Sequence, residues 1–253
     1  MLNQRQQASG SRPLGPAASG EQYSLWRRLL AEFLGSAFLA AVVIGSGIAA
    51  QTLSPGQTGL ELAENAGVTA VGLFTIILMF GHVSGAQLNP AVSLVDAALG
   101  GLSWRDACCY MPFQVAGCTL GAVVANLMFG DSAVSLSTKH RGSSSHFLAE
   151  IVATLGLLLV IFALTRSRRK GQIPAAVGAY IGAAYWFTSS TSFANPAIAV
   201  GRMFSNSFAG IAPTSVPEFV AAEIVGAVIA IALIKVLYPA GPFPASASAL
   251  APD

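Results

Sequence analysis

Gly81-His-Val-Ser-Gly-Ala-Gln-Leu-Asn-Pro-Ala-Val92 and Ser192-Phe-Ala-Asn-Pro-Ala197 share one tripeptide, Asn89-Pro90-Ala91 in the first and Asn195-Pro196-Ala197 in the second. Asn is among the best N-cap residues, and Pro is favoured at the first helical position, where its missing N–H would have no partner anyway. Each tripeptide therefore starts a helix. The apolar segments that begin there, 89–100 and 195–207, run about twelve residues, or roughly 18 Å as helix, near half a bilayer. A single Asn-Pro-Ala occurs by chance. Two copies, each behind a long apolar run, organise the whole chain.

The solvent of those runs follows from composition. The chain has 253 residues, 54% of them hydrophobic and 9% charged, with a mean hydropathy of +0.65. A soluble domain carries about 25% Asp, Glu, Lys and Arg. So few charges cannot cover a surface in water, which excludes a soluble enzyme, a nucleic-acid binder and a disordered scaffold. A net charge of +2 is too small to call for a polyanionic partner. An integral protein of the lipid bilayer remains.

Six apolar stretches have spanning length: 29–50, 66–82, 107–129, 147–165, 173–189 and 218–238. Residues 1–24 and 239–253 read as disordered tails, without a cleavable signal ahead of the first span. A cytoplasmic N-terminus puts ten Lys and Arg inside, with Arg166, Arg168, Arg169 and Lys170 together between spans four and five. It leaves Lys139, Arg141 and Arg202 outside. Both termini are therefore expected in the cytoplasm.

The halves align beyond the tripeptides. Ala31-Glu32 opens span one and Ala149-Glu150 opens span four; Gln114-Val-Ala-Gly117 in span three matches Glu223-Ile-Val-Gly226 in span six. A unit of three spans cannot repeat without reversing its direction, so the halves, about 25–130 and 145–238, are inverted copies. Inversion brings the two half-helix starts together near the midplane. Each N-terminus carries roughly +0.5 elementary charge, so the pair forms a barrier to cations in a path open to neutral molecules. If each Asn oxygen caps its own helix, the NH2 groups are left to donate into that path.

These signature loops, with the paired Glu and Gly positions, resemble the aquaporin/aquaglyceroporin (major intrinsic protein) family over about residues 25–238. The resemblance implies an all-α membrane protein of six tilted helices and two re-entrant half-helices, a pore within each protomer, and a homotetramer. It implies a channel domain over 25–238 that passes water and small uncharged solutes, with no cofactor and no nucleic acid. The family's narrow filter takes four positions, carried here by spacing from the two Asn residues. They are Thr69, where aromatic residues are usual; Ala183, where water-selective members tend to have His; Ser192; and Ile198, where Arg is usual. Thr, Ala, Ser and Ile imply a wide filter without a fixed charge. Tyr185-Trp-Phe-Thr-Ser-Ser-Thr-Ser-Phe-Ala194 and Phe208-Ala-Gly-Ile211 are similar to a bacterial branch associated with arsenic resistance, which implies an inner-membrane pore for arsenous acid and larger arsenicals. A general pore for small polyols and water is the plainer alternative, and a water-selective aquaporin another.

The remaining polar residues carry two readings each. Glu32 and Glu150 lie at buried depth, where a carboxylate costs roughly 2.5–3.5 kcal/mol unless it is paired. They accept N–H groups from the loops before each Asn-Pro-Ala, or they couple protons, which would make the chain an ion-coupled transporter. Gln114 and Glu223 are expected to hold loop backbone as well. Arg202, one turn beyond Ile198, is either a displaced filter cation at the outer mouth or an Arg paired with a loop carbonyl. His82, toward the cytoplasmic mouth, lines or gates the pore, or packs as a neutral ring. Cys108, Cys109 and Cys118 have neither disulfide nor metal-ligand spacing and read as packing residues. No nucleophile–base pair, metal cluster or phosphate loop supports an enzyme.

Overall fold

A computed structural model describes residues 23–239. The expected tails lie outside the described residues, apart from Tyr23, Ser24 and Pro239. Eight α-helices follow in order: α1 (Leu25–Leu53), α2 (Thr58–Ser84), α3 (Pro90–Ala98), α4 (Trp104–Met128), α5 (Ser144–Arg166), α6 (Ile173–Phe187), α7 (Pro196–Arg202) and α8 (Val216–Leu237). In the first half α1 packs on α2 and α4; in the second α5 packs on α6 and α8; α2 against α6 joins them. The short helices α3 and α7 sit between the halves, each against both α4 and α8 and against one another.

The residues matched between halves are those that let the long helices close. On α4, a Cβ at Gly117 would run into the Phe33 carbonyl of α1, beside Glu32. On α8, a Cβ at Gly226 would stand 2.7 Å from the Ile151 carbonyl of α5, beside Glu150. Glycine at these two places lets backbones meet, which is what association in lipid requires when apolar burial against lipid tails contributes little.

Among the described residues five helices are long and apolar enough to cross a membrane: α1, α2, α4, α5 and α8 with the turn before it. Helix α6 has 15 residues, about 22 Å, because Pro174 starts it and its chain turns extended at Thr188. Helix α2 begins at Thr58, eight residues before the expected span. Glu61 and Asn65 interrupt the apolar run, but both are buried, and Asn65 Nδ2 donates to the Val43 carbonyl at 2.9 Å. Helix α7 stops at Arg202, short of the expected 207. The carbonyls of Met203 and Phe204 are taken instead by Ser137 N and Ser135 N of the loop before α5.

Candidate functional site

Both half-helices are capped as their sequences require. Asn89 Oδ1 accepts from Ala91 N at 2.8 Å, and Asn195 Oδ1 accepts from Ala197 N at 3.0 Å. The NH2 groups do not stay wholly free, as the sequence suggested. Asn89 Nδ2 donates to the Ala194 carbonyl at 2.7 Å, and Asn195 Nδ2 donates to the Leu88 carbonyl at 2.8 Å. Each Asn is thus tied to the residue preceding the other, and one N–H of each amide remains for the path.

The loops feeding the caps are strained in the same places. Ala86 and Leu88 have φ of 44° and 51°; Ser192 and Ala194, three and one residues before Asn195, have 49° and 48°. Left-handed non-glycine backbone costs roughly 1–3 kcal/mol per residue and persists only where its surroundings hold it. Two carboxylates do so here. Glu32 accepts from Gln87 N at 3.0 Å and Leu88 N at 2.7 Å; Glu150 accepts from Phe193 N at 2.9 Å and Ala194 N at 2.8 Å. Glu223 accepts from Asn195 N at 2.9 Å. Gln114 differs from expectation: its Nε2 reaches the Glu32 carboxylate at 2.8 Å and Ser93 Oγ at 3.0 Å rather than loop backbone. A side-chain amide needs an acceptor, and the neighbouring carboxylate is the strongest one within reach.

Around the crossed Asn residues runs one cavity of about 790 Å³. It begins among Tyr23, His82, Gln87, Asp96 and Lys170, passes Asn89 and Asn195, and ends on Thr69, Tyr185, Ser192, Ile198 and Arg202. His82 is exposed to it and stands edge-on to Tyr23, with ring centres 5.7 Å apart. Pro90, Ala91, Pro196 and Ala197 are buried and absent from the cavity lining.

Ala183 is a correction. It lies on the exposed stripe of α6 with Ala175 and Ala179, whereas Val177, Ile181 and Tyr185 line the cavity. Gly178 and Gly182 press that helix against Ala70 of α2 and so set its rotation. Two residues along a helix turn a side chain by about 200°, to the opposite face. Tyr185 therefore stands where an alanine was expected, its hydroxyl 3.3 Å from Thr69 Oγ1.

None of the four expected filter positions is charged, but the cavity meets a cation one turn beyond Ile198. Arg202 is 1% exposed and lines the end of the cavity away from His82. Its Nε donates to the Ala209 carbonyl, and its guanidinium carbon lies 3.5 Å from the centre of the Phe193 ring. Arg141 is 5.3 Å from the centre of the same ring and donates to the carbonyls of Gly210, Ser190 and Phe208. Lys139 Nζ takes the Phe208 carbonyl too, at 2.9 Å. All three cations assigned to the outer side thus gather on Phe208-Ala-Gly210. Burial, and after it the charges of Arg141 and Arg202, lowers the Lys139 ammonium to about 8.

Two inverted halves, meeting through crossed Asn-capped half-helices on a continuous cavity, define a transmembrane channel. The comparisons agree. Residues 19–194 match the family model described as Major intrinsic protein. The chain is 46% identical over 223 residues to aquaglyceroporin AqpS of Rhizobium meliloti (strain 1021), covering 88% of this chain and 95% of that protein. It is 34% identical over 229 residues to aquaporin-10 of Milnesium tardigradum, covering 76% of this chain and 55% of that one. The X-ray structure of the aquaglyceroporin from Plasmodium falciparum superposes with a TM-score of 0.67 at 22% identity, over 85% of this chain and 98% of that one. The chain belongs to the major intrinsic protein family. It is an integral membrane protein, an aquaglyceroporin-type channel for small solutes, and not an enzyme.

Proposed function

We propose that this channel passes water and small uncharged hydroxylated solutes passively, glycerol-like polyols and arsenous acid among them. The carrying observation is the pair of Asn-capped half-helix starts on one cavity, Asn89 and Asn195, each keeping a single N–H for a passing oxygen. Thr69, Tyr185, Ser192, Ile198 and Arg202 form the selective end of the path, and His82 the opposite mouth. Arsenous acid is a neutral molecule with three hydroxyls at the pH of the cell, of the same class as glycerol. The stretches 185–194 and 208–211, which resemble the arsenic-associated branch, are those that build the outer end of the cavity.

Neither Glu32 nor Glu150 lines the cavity, and the oxygens of each are occupied by loop N–H groups, which supports a supporting role over proton coupling. The protein works as a homotetramer in a bacterial inner membrane, with both termini cytoplasmic. Stopped-flow light scattering on proteoliposomes, comparing water, glycerol, urea and arsenous acid, tests the reading. Non-saturating flux indifferent to pH gradients and voltage is expected. Saturable uptake driven by a proton gradient, or water flux without glycerol flux, would overturn it.

A further inference from the structure

Three consecutive N–H groups of the loop before the second half-helix end on two carboxyl groups. Phe193 N and Ala194 N donate to the two oxygens of Glu150 at 2.9 and 2.8 Å, and Asn195 N donates to Glu223 Oε1 at 2.9 Å. Neighbouring amides thus set two carboxyl groups side by side, and that of Glu223 stands within hydrogen-bonding reach of Glu150. Both residues are 0% exposed, and neither lines the cavity. The fourth oxygen, Glu223 Oε2, is buried with no donor among the described residues. Arg141 and Arg202 are the nearby cations, but the one ion pair among the described residues is Arg28 with Asp106. Tyr180 of α6, also near Glu150, spends its hydroxyl on the Ala153 carbonyl at 3.1 Å. Two bare carboxylates here would be adjacent like charges, out of water and unpaired. Proteins avoid that arrangement by keeping one proton between the two groups.

The first half supplies the control. There Gln114 takes the place that Glu223 has in the repeat, and its Nε2 donates to Glu32 Oε2 at 2.8 Å. Glu32 in turn accepts from Gln87 N and Leu88 N, as Glu150 does from Phe193 N and Ala194 N. One carboxylate and one neutral donor therefore hold the first loop. Glu223 stands in the matching place beside Glu150, and it can make the equivalent bond only as an acid, with an O–H where the amide has an N–H.

We propose that Glu150 and Glu223 share one proton, and that Glu223 is a positioning residue working in its acid form: one oxygen accepts from Asn195 N while the O–H of the other donates to Glu150. This holds whichever solute the channel passes. It leaves each half with one negative charge behind its half-helix start, Glu32 in the first and the Glu150–Glu223 pair in the second. A second anion behind Asn195 would offset the positive end of the half-helix that Asn195 caps. The shared proton therefore keeps the two starts electrically alike, although the two halves differ in sequence at this place.

Infrared absorption of the full-length protein in proteoliposomes at neutral pH reads the acid directly, through the C=O stretch of a protonated carboxyl group. Wild type should show this band. Glu223→Gln should lose it, because the amide takes over the bond to Glu150 as Gln114 does for Glu32. Glu223→Leu neither accepts from Asn195 N nor donates to Glu150, and should unfold in detergent at least about 2–4 °C below Glu223→Gln. If Glu223→Gln does not reconstitute as folded protein, Gln114→Glu carries the test: it should build a second acid pair, with Glu32, and enlarge the band. A wild type without the band would mean two bare carboxylates and overturns the proposal. So does a band that survives undiminished in Glu223→Gln, one that fails to grow in Gln114→Glu, or a Glu223→Leu as stable as Glu223→Gln.

Discussion

Glu32→Gln probes how the strained loop before the first half-helix is held. Both carboxylate oxygens are fully engaged: Oε1 accepts from Ser84 Oγ at 2.6 Å and Gln87 N at 3.0 Å, and Oε2 accepts from Leu88 N at 2.7 Å and Gln114 Nε2 at 2.8 Å. An amide keeps one of those oxygens and turns the other into a donor. Two partners can adapt. The Ser84 hydroxyl can rotate to accept, and Gln114 can turn over to present its Oε1, which has no partner at present. The backbone N–H groups cannot. Whichever way the amide turns, Gln87 N or Leu88 N is left facing an NH2, at a cost of about 1–3 kcal/mol. The other bonds lose their charge assistance, offset in part because a buried carboxylate no longer has to be desolvated. The net is about 2–3 kcal/mol, or roughly 4–12 °C in the unfolding midpoint for a chain of this size. Ser84→Ala removes one adjustable donor and also the acceptor of Ala86 N, at 3.1 Å in a part-exposed stretch where water can replace it, and should cost less than Glu32→Gln, about 1–1.5 kcal/mol. Thermal unfolding of the purified protein in detergent reads both, and proteoliposome flux per folded molecule should stay close to wild type in each. An unchanged midpoint in Glu32→Gln, or an equal loss in Ser84→Ala, would refute this account of the loop. Lost flux at normal folding would instead favour a coupling role for the carboxylate.

Ile198→Arg alone would put two guanidinium groups one turn apart at the Tyr185 end of the cavity; oocyte uptake of glycerol and arsenous acid, normalised to surface protein, should fall at least about tenfold while water permeability falls less. Unaltered large-solute uptake would remove Ile198 from the constriction. Asn195→Asp exchanges the donor to the Leu88 carbonyl for an anion at two positive helix ends. Patch-clamp should then detect a new cation conductance, and a silent patch would count against the electrostatic barrier. Gly226→Ala drives a methyl to 2.7 Å from the Ile151 carbonyl and 3.1 Å from Thr154 Cβ, forcing α8 from α5. It should destabilise by about 1–3 kcal/mol in a denaturation series, where Gly59→Ala, with open space at that site, should not. Lys139, lowered to about 8 from 10.5, keeps its proton less well than the unfolded chain does. Stability should therefore rise with pH between those values. The resonance of its ¹³C-methylated amine should titrate near 8 and move upward in Arg202→Ala, which removes one repelling charge.

What the chain alone determined is whatever depends on local covalent chemistry and on period. Apolar runs of spanning length, Asn and Pro at two helix starts, and the matched Glu and Gly positions need no knowledge of neighbours, because capping, helix rise and inversion follow from the residues themselves. Even the acceptance of loop N–H groups by Glu32 and Glu150 was legible, since a carboxylate at that depth has few other partners. The end of the pore at Tyr185 and Arg202 was not. Helix α6 is apolar around its whole circumference, so no polar stripe reveals its rotation, and the contact of Gly178 and Gly182 with Ala70 decided that Tyr185 rather than Ala183 meets the cavity. Arg202 carries no local sign of burial either. Its place was decided by Phe193 and by the Ala209 carbonyl, in a loop that takes shape only as Arg141 and Lys139, some seventy residues earlier, fold onto it. The tie between Asn89 and Asn195 likewise spans more than a hundred residues, and it exists only because two halves that are separate in sequence are inverted onto one point.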